Sequence, residues 1–412
     1  MSSRPESPTD RALAAGLSER AIAFDLTDRA LAVSPFMVME VLERAKELER
    51  QGRDVVHLEV GEPDFPTPEP VVRAMVAALG AREFYYTHSQ GDPELREALA
   101  WHYKTRYGLD LDPGRFLVCP GTSSGFNLLF GALLDPGQGV ILSDPHYCCY
   151  PNFVRFFGGE PILCPTMEAD GFRLDPDRAK ACLGPGVKAL LINSPANPTG
   201  AVLGPDRLEA LAKLDVLIVS DEIYHGLSYQ GERDRSILEY TDRAVVVGGF
   251  SKTFAMTGWR IGYLILPPEL ARPFQRLAQN FFISVGAATQ KAAIAALTEA
   301  WPTVAERREI YDRRRRLLLK GLKELGLPVL VEPTGAFYAL ARADHLSLDS
   351  AALAFEILEE AGVGLTPGRE FGSRAEGFLR FSYANSEENI QKALGRLAEF
   401  IAKRGHRQAQ GA

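Results

Sequence analysis

Residues 248–263 have the sequence Gly-Gly-Phe-Ser-Lys-Thr-Phe-Ala-Met-Thr-Gly-Trp-Arg-Ile-Gly-Tyr and directly follow the apolar run Ala244–Val247. A run of β-branched residues that stops at glycines is typical of a buried strand ending in a turn. Lys252 then lies just beyond the carboxyl end of the strand, where an amine is suited to form a Schiff base. Arg260 is a fixed cation suited to bind a phosphate. The segment therefore predicts a site for a ligand that carries both an aldehyde and a phosphate.

Size and charge narrow the class of protein. The chain has 412 residues, which favours two domains over one simple core. Hydrophobic residues make up 46% and charged residues 24%, as in an ordinary globular enzyme. The formal net charge of −7 argues against nucleic acid or an anionic membrane as the main partner. No apolar stretch reaches the roughly 18 residues that span a membrane, and the N-terminus lacks an apolar signal core, so we expect a cytoplasmic protein.

The cysteines give no sign of a metal centre. They are Cys119, Cys148, Cys149, Cys164 and Cys182. Their number is odd and no spacing between them resembles a metal site. We expect reduced cysteines that pack as small hydrophobes, and no metal.

The middle of the chain alternates helices with short apolar runs. Most of these runs are continuously apolar, as in strands that are buried on both faces. Because helical segments separate many of them, the pattern predicts an α/β fold with a mostly parallel central sheet flanked by helices. The strand candidates are Phe116–Cys119, Gly139–Ser143, Pro161–Cys164, Ala189–Asn193, Val216–Ser220, Ala244–Val247 and Gly262–Ile265.

The two ends of the chain have a different pattern. Beyond about residue 300, charge-rich helical segments alternate with isolated strands such as Ala336–Leu340 and Phe378–Ser382. Near the start, Met37–Gln51 has the apolar stripe of an amphipathic helix, and Val55–Val60 has the composition of a short strand. These segments predict a second, smaller α+β domain.

Domain boundaries follow from this change of pattern. We expect a large, ligand-binding domain over residues 64–298 and a small domain built from residues 17–63 plus 299–406. Residues 1–16 are rich in Ser, Pro and charge and are expected to be a disordered extension. Residues 407–412 are expected to be a loose tail.

Ligands of open parallel sheets gather at the carboxyl ends of the strands, where the unusual residues of this chain fall. Gly121, Thr122 and Ser123 precede a helix expected over Phe126–Leu133, and such a turn binds anions through its free N–H groups. The same turn also occurs as a plain helix cap in most α/β proteins. Tyr147 follows the next strand and can stack on a ring, although packing is the commoner role of such a tyrosine.

Two further strand ends add an amide and a carboxylate. Residues 194–200, Ser-Pro-Ala-Asn-Pro-Thr-Gly, hold Asn197 in rigid backbone, as a ligand or as part of a turn. Asp221 needs a cation or hydrogen bonds if it is buried; a protonated pyridine nitrogen would serve, and a helix cap is the alternative. Tyr224 can reach the same ligand. With Lys252, this set of groups matches one cofactor, pyridoxal 5′-phosphate (PLP).

The chain resembles the class I/II aminotransferases, the aspartate-aminotransferase-like group of fold-type I PLP enzymes. The segments Asn193–Gly200, Ser220–Tyr224 and Ser251–Tyr263 are highly specific to this family. The resemblance implies an enzyme that moves an amino group between an L-amino acid and a 2-oxo acid by a ping-pong mechanism. The same constellation also serves PLP-dependent Cβ lyases and decarboxylases, which stay the alternative.

The resemblance also implies a role for each residue. Lys252 would be the Schiff-base lysine and would carry the proton between the substrate Cα and the cofactor C4′. Asp221 would hold the pyridinium proton and so keep the ring an electron sink. Tyr224 and Asn197 would donate to the phenolic oxygen, and Tyr147 would stack on the ring.

Phosphate binding is implied for Gly121, Thr122, Ser123 and Arg260. Many relatives carry a serine three positions before the lysine, where its hydroxyl binds the phosphate, but this chain has Gly249 there. We expect Ser251 or a water molecule to replace that contact.

The remaining roles concern the substrate and the partner subunit. Arg380 matches the arginine that binds the substrate α-carboxylate by a bidentate fork, with a surface ion pair as the alternative. Gly61 and Asn197 are expected to contact the substrate as well. Tyr86 matches a tyrosine that reaches the phosphate of the neighbouring subunit, which implies a homodimer with shared sites. One dicarboxylate-specific branch of relatives has a lysine where this chain has Ser123, so aspartate is a weaker candidate for the donor.

Overall fold

The computed structural model describes residues 26–82 and 84–410, the last four as backbone only. The extension expected over residues 1–16 lies outside the described residues. The strands are β1 Val56–His57, β2 Phe116–Cys119, β3 Gly139–Asp144, β4 Glu160–Pro165, β5 Val187–Asn193, β6 Leu217–Asp221, β7 Ala244–Gly249, β8 Gly262–Ile265, β9 Tyr338–Arg342, β10 Val363–Gly364, β11 Thr366–Pro367 and β12 Phe378–Ser382.

Helices surround these strands along most of the described chain. They are α1 Asp28–Leu31, α2 Met37–Arg50, α3 Glu69–Ala81, α4 Pro93–Tyr107, α5 Thr122–Leu133, α6 Cys149–Phe156, α7 Pro176–Ala181, α8 Pro205–Ala212, α9 Pro268–Phe281, α10 Ala287–Glu299, α11 Trp301–Glu324, α12 Ser350–Ala361 and α13 Glu387–Gln410.

The central sheet has seven strands in the order β2-β8-β7-β6-β5-β3-β4. The strands from β3 to β7 pair in parallel with one another, whereas β8 pairs antiparallel with β7 and with β2. Each of the seven strand candidates of the sequence overlaps one strand of this sheet. The predicted mostly parallel α/β sheet is therefore confirmed.

Both faces of the central sheet are buried except at the edge strand β4, which explains the continuously apolar inner strands. In β7, Val245 and Val247 pack in one hydrophobic cluster with Phe126 of α5. Val246, which points to the opposite face, packs in a second cluster with Leu99 of α4. The side-chain alternation of a strand thus supplies two cores at once.

Two smaller sheets lie in the segments assigned to the small domain. Strands β11, β12 and β9 form an antiparallel sheet in which Thr366 pairs with Arg380 and Leu340 pairs with Arg380 from the other side. Strands β1 and β10 form a parallel pair in which His57 lies opposite Gly364. This arrangement fixes Arg380 in the middle of a buried strand.

Three expectations about element bounds need correction. The strand expected over Val55–Val60 is reduced to Val56–His57, because the chain beyond leaves the ladder to contact β12. Helix α5 begins at Thr122 and not at Phe126, so its first turn includes the small polar residues. The tail expected to be loose over residues 407–412 continues α13 as far as residue 410, and residues 411–412 lie outside the described part.

The domain boundaries stay a prediction, although all strands of the seven-stranded sheet fall within residues 64–298. Among residues 26–82 and 84–410, no helix combines the length and the apolar character that crossing a membrane requires. The five cysteines are free thiols. A cytoplasmic location stays a prediction from the sequence.

One glycine of the sheet permits two segments of the backbone to approach each other closely. A Cβ atom added at Gly262 would lie 2.9 Å from the amide nitrogen of Thr122 and 3.0 Å from the carbonyl carbon of Gly121. Both are backbone atoms, so no side-chain rotation can relieve the overlap. Gly262 in β8 therefore lets the turn between β2 and α5 pack directly on the sheet.

We expect the substitution Gly262→Ala to destabilise the protein by about 1–3 kcal/mol, the usual cost of overpacking a tight site. The matched control is Gly80→Ala on the exposed side of α3, where an added Cβ meets no atom within 4 Å. That control should stabilise the helix by about 0.5–1 kcal/mol. The two variants are compared by their midpoints of thermal unfolding. A midpoint of Gly262→Ala at or above that of the wild type would contradict the tight packing inferred at Gly262.

Candidate active site

A cavity of about 320 Å³ opens at the carboxyl ends of the central strands. It collects the predicted site residues from segments that are far apart in the chain. The predicted residues that line it are Gly61, Thr122, Ser123, Tyr147, Asn197, Asp221, Tyr224, Ser251, Lys252, Arg260 and Arg380. Of the predicted set, Gly121 lies beside this cavity and Tyr86 lies away from it.

Lys252 follows β7 and lines the cavity. Its Nζ donates a hydrogen bond of 2.6 Å to the carbonyl oxygen of Gly61. Burial lowers the pKa of Lys252 to about 8, and the nearby cations Arg380 and Arg260 act in the same direction. An amine with this pKa is neutral in a substantial fraction near physiological pH, which suits a nucleophile or a general base.

Asp221, the last residue of β6, is a buried carboxylate. Its Oδ2 accepts a hydrogen bond of 2.6 Å from the hydroxyl of Tyr150, and its Oδ1 accepts one of 3.1 Å from the amide of Ile223. Burial raises the pKa of Asp221 to about 6, although both hydrogen bonds oppose the rise. A carboxylate in such a site gains free energy from a cationic partner.

An anion-binding corner lies where β2 meets α5. Gly121 has a φ of +79°, which favours glycine, and Thr122 and Ser123 occupy the first turn of the helix. The guanidinium of Arg260 packs on Gly121, because a Cβ there would lie 2.5 Å from its Nη2. Free N–H groups, a helix N-terminus and an arginine together suit a phosphate.

The presence of Gly249, where many relatives have a serine that binds the phosphate, has a structural reason. A Cβ atom at Gly249 would lie 2.8 Å from Cδ1 of Ile223 and 3.0 Å from Cγ2 of Thr122. The side chains of Ile223 and Thr122 thus fill the space beside Gly249, and a serine there would require both to shift. Ser251 is buried and lines the same cavity.

Arg380 is buried and held by several acceptors. Its Nη1 donates to Oδ1 of Asn197 at 3.0 Å, and its Nη2 donates to Oγ1 of Thr366 at 3.0 Å and to the carbonyl oxygen of Glu59. Its Nε has no hydrogen-bond partner among the described residues. The guanidinium therefore has a fixed plane, as a receptor for a carboxylate requires.

Aromatic rings complete the wall around Arg380. Its guanidinium carbon lies 4.5 Å from the ring centre of Tyr338 and 4.9 Å from that of Phe371. The hydroxyls of Tyr338 and Tyr224 are 2.9 Å apart and share a hydrogen bond. Gly61 lies against this pair, since an added Cβ would come within 2.0 Å of the Tyr338 hydroxyl.

Sequence reasoning missed three residues of this site. Tyr150 follows Tyr147 by three residues and lies in the first turn of α6, so its closeness in sequence to Tyr147 could have indicated it. Asn193 ends β5, where its Nδ2 donates to the Asp221 carbonyl and its Oδ1 accepts from the Asn197 amide. Tyr338 comes from β9, more than a hundred residues from its partner, and no local pattern could have indicated it.

Tyr86 occupies a different position from the other predicted residues. Its side chain is 81% exposed on this chain, and the neighbouring Tyr85 and Phe84 are exposed as well. The structure thus does not bring Tyr86 to the cavity of its own chain. Its predicted role in the site of a partner subunit stays a prediction.

The donors around the cavity fit PLP. The phosphate has a matching corner at Thr122, Ser123 and Arg260, and the aldehyde has the amine of Lys252. A ring nitrogen that carries a proton matches the buried carboxylate of Asp221, which otherwise has only neutral donors. Tyr147 offers its ring for stacking.

Comparison with known proteins places the chain in a family. The family model described as aminotransferase class I and II matches residues 53–397. An aspartate/prephenate aminotransferase of Thermus thermophilus is 43% identical over 379 residues, which cover 90% of this chain and 97% of that relative. A valine–pyruvate aminotransferase of Mycobacterium tuberculosis is 38% identical over 376 residues, with the same two coverages of 90% and 97%.

Solved structures agree with these relatives. The Thermus thermophilus aspartate aminotransferase with maleate superposes with a TM-score of 0.87 at 43% identity, covering 91% of this chain and 99% of that chain. The match thus extends over both the central sheet and the segments that carry Arg380. Family model, relatives and structure together show that this chain belongs to the class I and II aminotransferases.

Proposed function

We propose that this aminotransferase binds PLP in the cavity at the carboxyl ends of the central strands and exchanges amino groups by a ping-pong mechanism. In that mechanism the amino acid leaves as a 2-oxo acid before the second oxo acid binds. The observation that supports it is the convergence of Lys252, Asp221, Arg260 and Arg380 on one cavity. When bound, PLP supplies an electron sink for the electron pair released at the substrate Cα.

Lys252 would attach the cofactor through Nζ and, once freed by the incoming amine, would move a proton. Its lowered pKa makes the neutral amine available as the base. The carbonyl of Gly61 orients Nζ in the meantime, because the two atoms are 2.6 Å apart. Lys252 is thus the catalytic base of the proposal.

Asp221 would hold the proton of the ring nitrogen. Tyr150 and Ile223 fix the two carboxylate oxygens, so the carboxylate has little freedom to rotate away. Tyr224 and Asn197 would donate to the phenolic oxygen of the ring. With Oδ1 of Asn197 bound to Arg380, its Nδ2 group is the donor that it can offer.

Arg380 would bind the α-carboxylate that amino and oxo acids share. Its link to Asn197 joins the substrate receptor to the residue that contacts the cofactor. A tightly placed carboxylate orients the Cα proton towards Lys252, which is how binding assists the transfer.

A homodimer with shared sites is part of the same proposal. The exposed aromatic run Phe84–Tyr86 would be covered by a second copy of the chain, and Tyr86 would reach the phosphate of that copy. A contiguous exposed aromatic surface of this kind is typical of a protein interface.

The donor is the least constrained part of the proposal, because the relatives differ in substrate: one name specifies aspartate or prephenate and another specifies valine with pyruvate. Apolar side chains such as Phe36, Met39 and Phe153 line part of the cavity. Ser123 supplies no positive charge for a second carboxylate. We therefore propose donors with neutral side chains.

Replacing the lysine tests the mechanism. We expect Lys252→Ala to lower kcat for amino-group exchange by at least about a thousandfold, since it removes both the attachment point and the base. The matched control is Lys213→Ala, which removes an exposed lysine paired with Glu209. For both variants, kcat is measured for amino-group exchange between an amino acid and pyruvate. A kcat of Lys252→Ala near that of the wild type would refute the mechanism.

The pKa of Lys252 predicts how reloading depends on pH. Protein stripped of cofactor should take up PLP through the neutral amine, whose fraction rises about tenfold between pH 7 and pH 9 for a pKa of about 8. An unperturbed lysine would gain about a hundredfold over the same interval and would not level off. The initial rate of absorbance change on adding PLP measures this, and a rate that keeps rising in proportion to hydroxide beyond pH 9 would contradict the lowered pKa.

Donor selectivity can be tested with an added charge. We expect Ser123→Lys to raise kcat/KM for aspartate relative to valine by about tenfold or more, because a charge-assisted hydrogen bond contributes about 1.5–3 kcal/mol. Asn127→Lys, one turn further along α5, is the charge-matched control. A panel of aspartate, glutamate, alanine, valine and phenylalanine measures the ratio, and a wild-type enzyme that prefers aspartate to every neutral donor would refute the proposed selectivity.

A further inference from the structure

Glu59 is a fully buried carboxylate beside the substrate receptor. Its side chain is 0% exposed, and its Oε1 lies 2.6 Å from Nδ1 of His57. Its Oε2 has no hydrogen-bond partner among the described residues. Because a half-paired buried carboxylate is costly, its presence calls for a role that an apolar residue would not fill.

His57 is the hydrogen-bond partner of this carboxylate. Its Nδ1 faces Glu59, and its Nε2 lies 3.1 Å from Oε1 of Glu49. Both ring nitrogens thus face carboxylates, and the hydrogen bond to Glu59 is the largest cause of a raised pKa of His57. Glu49 is held in turn by Lys46 at 2.9 Å. The imidazole is therefore fixed from two sides.

The neighbouring strand leaves room for the carboxylate. Gly364 of β10 lies opposite His57, and a Cβ added there would come within 2.1 Å of Oε2 of Glu59. The amide of Leu58 donates to the Gly364 carbonyl at 3.0 Å, and the amide of Ser382 donates to the Leu58 carbonyl at 2.8 Å. The segment that carries Glu59 is thus tied to both β10 and β12.

The main chain of Glu59 holds the substrate receptor. Its carbonyl oxygen accepts from Nη2 of Arg380 and, at 3.0 Å, from Oγ1 of Thr366. Thr366 also accepts from Nη2 of Arg380 at 3.0 Å. One residue therefore has its side chain fixed by His57 and its carbonyl placed against the guanidinium.

We propose that His57 and Glu59 are positioning residues for Arg380: their side-chain pair fixes the carbonyl that sets the plane of the guanidinium. The inference rests on the proposed binding of the substrate α-carboxylate by Arg380. A bidentate grip depends on the orientation of the guanidinium plane, so a small rotation weakens it. Because amino acid and oxo acid share the α-carboxylate, both should lose affinity, whereas the limiting rate should fall by no more than about twofold, since a bound ligand still pairs its carboxylate with Arg380.

The experiment follows each half-reaction of the holoenzyme by stopped-flow absorbance of the cofactor. This separates the apparent Kd of the ligand from the limiting rate. The ligand of the first half-reaction is the amino donor that reacts fastest among the five amino acids of the donor panel. The ligand of the reverse half-reaction is pyruvate. We expect His57→Phe, which keeps the ring but loses both nitrogens, to raise both apparent Kd values about tenfold with limiting rates within about twofold.

Two further variants separate positioning from general damage. His57→Asn keeps a donor near the place of Nδ1 and should restore both affinities to within about threefold of the wild type. His345→Phe makes the same substitution at an exposed histidine and should change neither affinity nor rate. Should His57→Phe fail to fold, Glu59→Gln replaces a charge-assisted hydrogen bond by a neutral one and should raise both Kd values about two- to fourfold.

Several results would overturn the inference. A folded His57→Phe variant with wild-type affinities would do so, as would unchanged affinities in Glu59→Gln. A fall in limiting rate without loss of affinity would assign the pair a role in the chemistry or in the fold and not in positioning. If the variants give such results while the wild-type enzyme exchanges amino groups normally, this inference alone is refuted. If the wild-type enzyme exchanges amino groups with no donor, the proposed function is refuted as well.

Discussion

The constraint on which the site depends is the burial of opposite charges at one edge of the central sheet. Asp221 ends β6 and Lys252 follows the neighbouring parallel strand β7, and burial shifts the pKa of the lysine down to about 8 and that of the aspartate up to about 6. Such a pair is unfavourable in a protein without a ligand, because each ion has lost water. A cofactor with an aldehyde at one end of its ring and a basic nitrogen at the other would relieve both costs, since Lys252 would hold its aldehyde and Asp221 its protonated nitrogen. The sheet, with cores on both faces, is what keeps the two groups in place.

The corner proposed for the cofactor and the arginine proposed to bind the substrate come from different parts of the fold but belong to one hydrogen-bond network. Asn197 links them, because its backbone amide is fixed by Asn193 at the sheet edge and its side chain accepts from Arg380. Tyr224 and Tyr338 make a second link between the central sheet and β9. The residues proposed to hold the ring and those proposed to hold the α-carboxylate therefore have fixed relative positions before any ligand binds, which is the preorganisation that proton transfer between Cα and the cofactor would need.

Local sequence patterns predicted much of this and failed where contacts are long-range. The seven central strands followed from apolar runs alone, because strands buried on both faces need no alternation. The start of α5 was misplaced by four residues, since Thr122 and Ser123 suit a turn as well as a first helical turn. Tyr338 left no local sign of its role, and the same holds for Glu59, whose neighbours come from four strands. The resemblance to a family supplied residue roles that spacing could not.

The most direct test of the central claim is to find which residue carries the cofactor. Borohydride reduction of the loaded protein makes the link between PLP and its lysine permanent, and trypsin does not cleave after a modified lysine. We expect the added mass to lie on the single peptide Ala244–Arg260, with Lys252 as the modified residue. Modification of another lysine, or reduction that leaves Lys252 unmodified in a fully loaded enzyme, would contradict it.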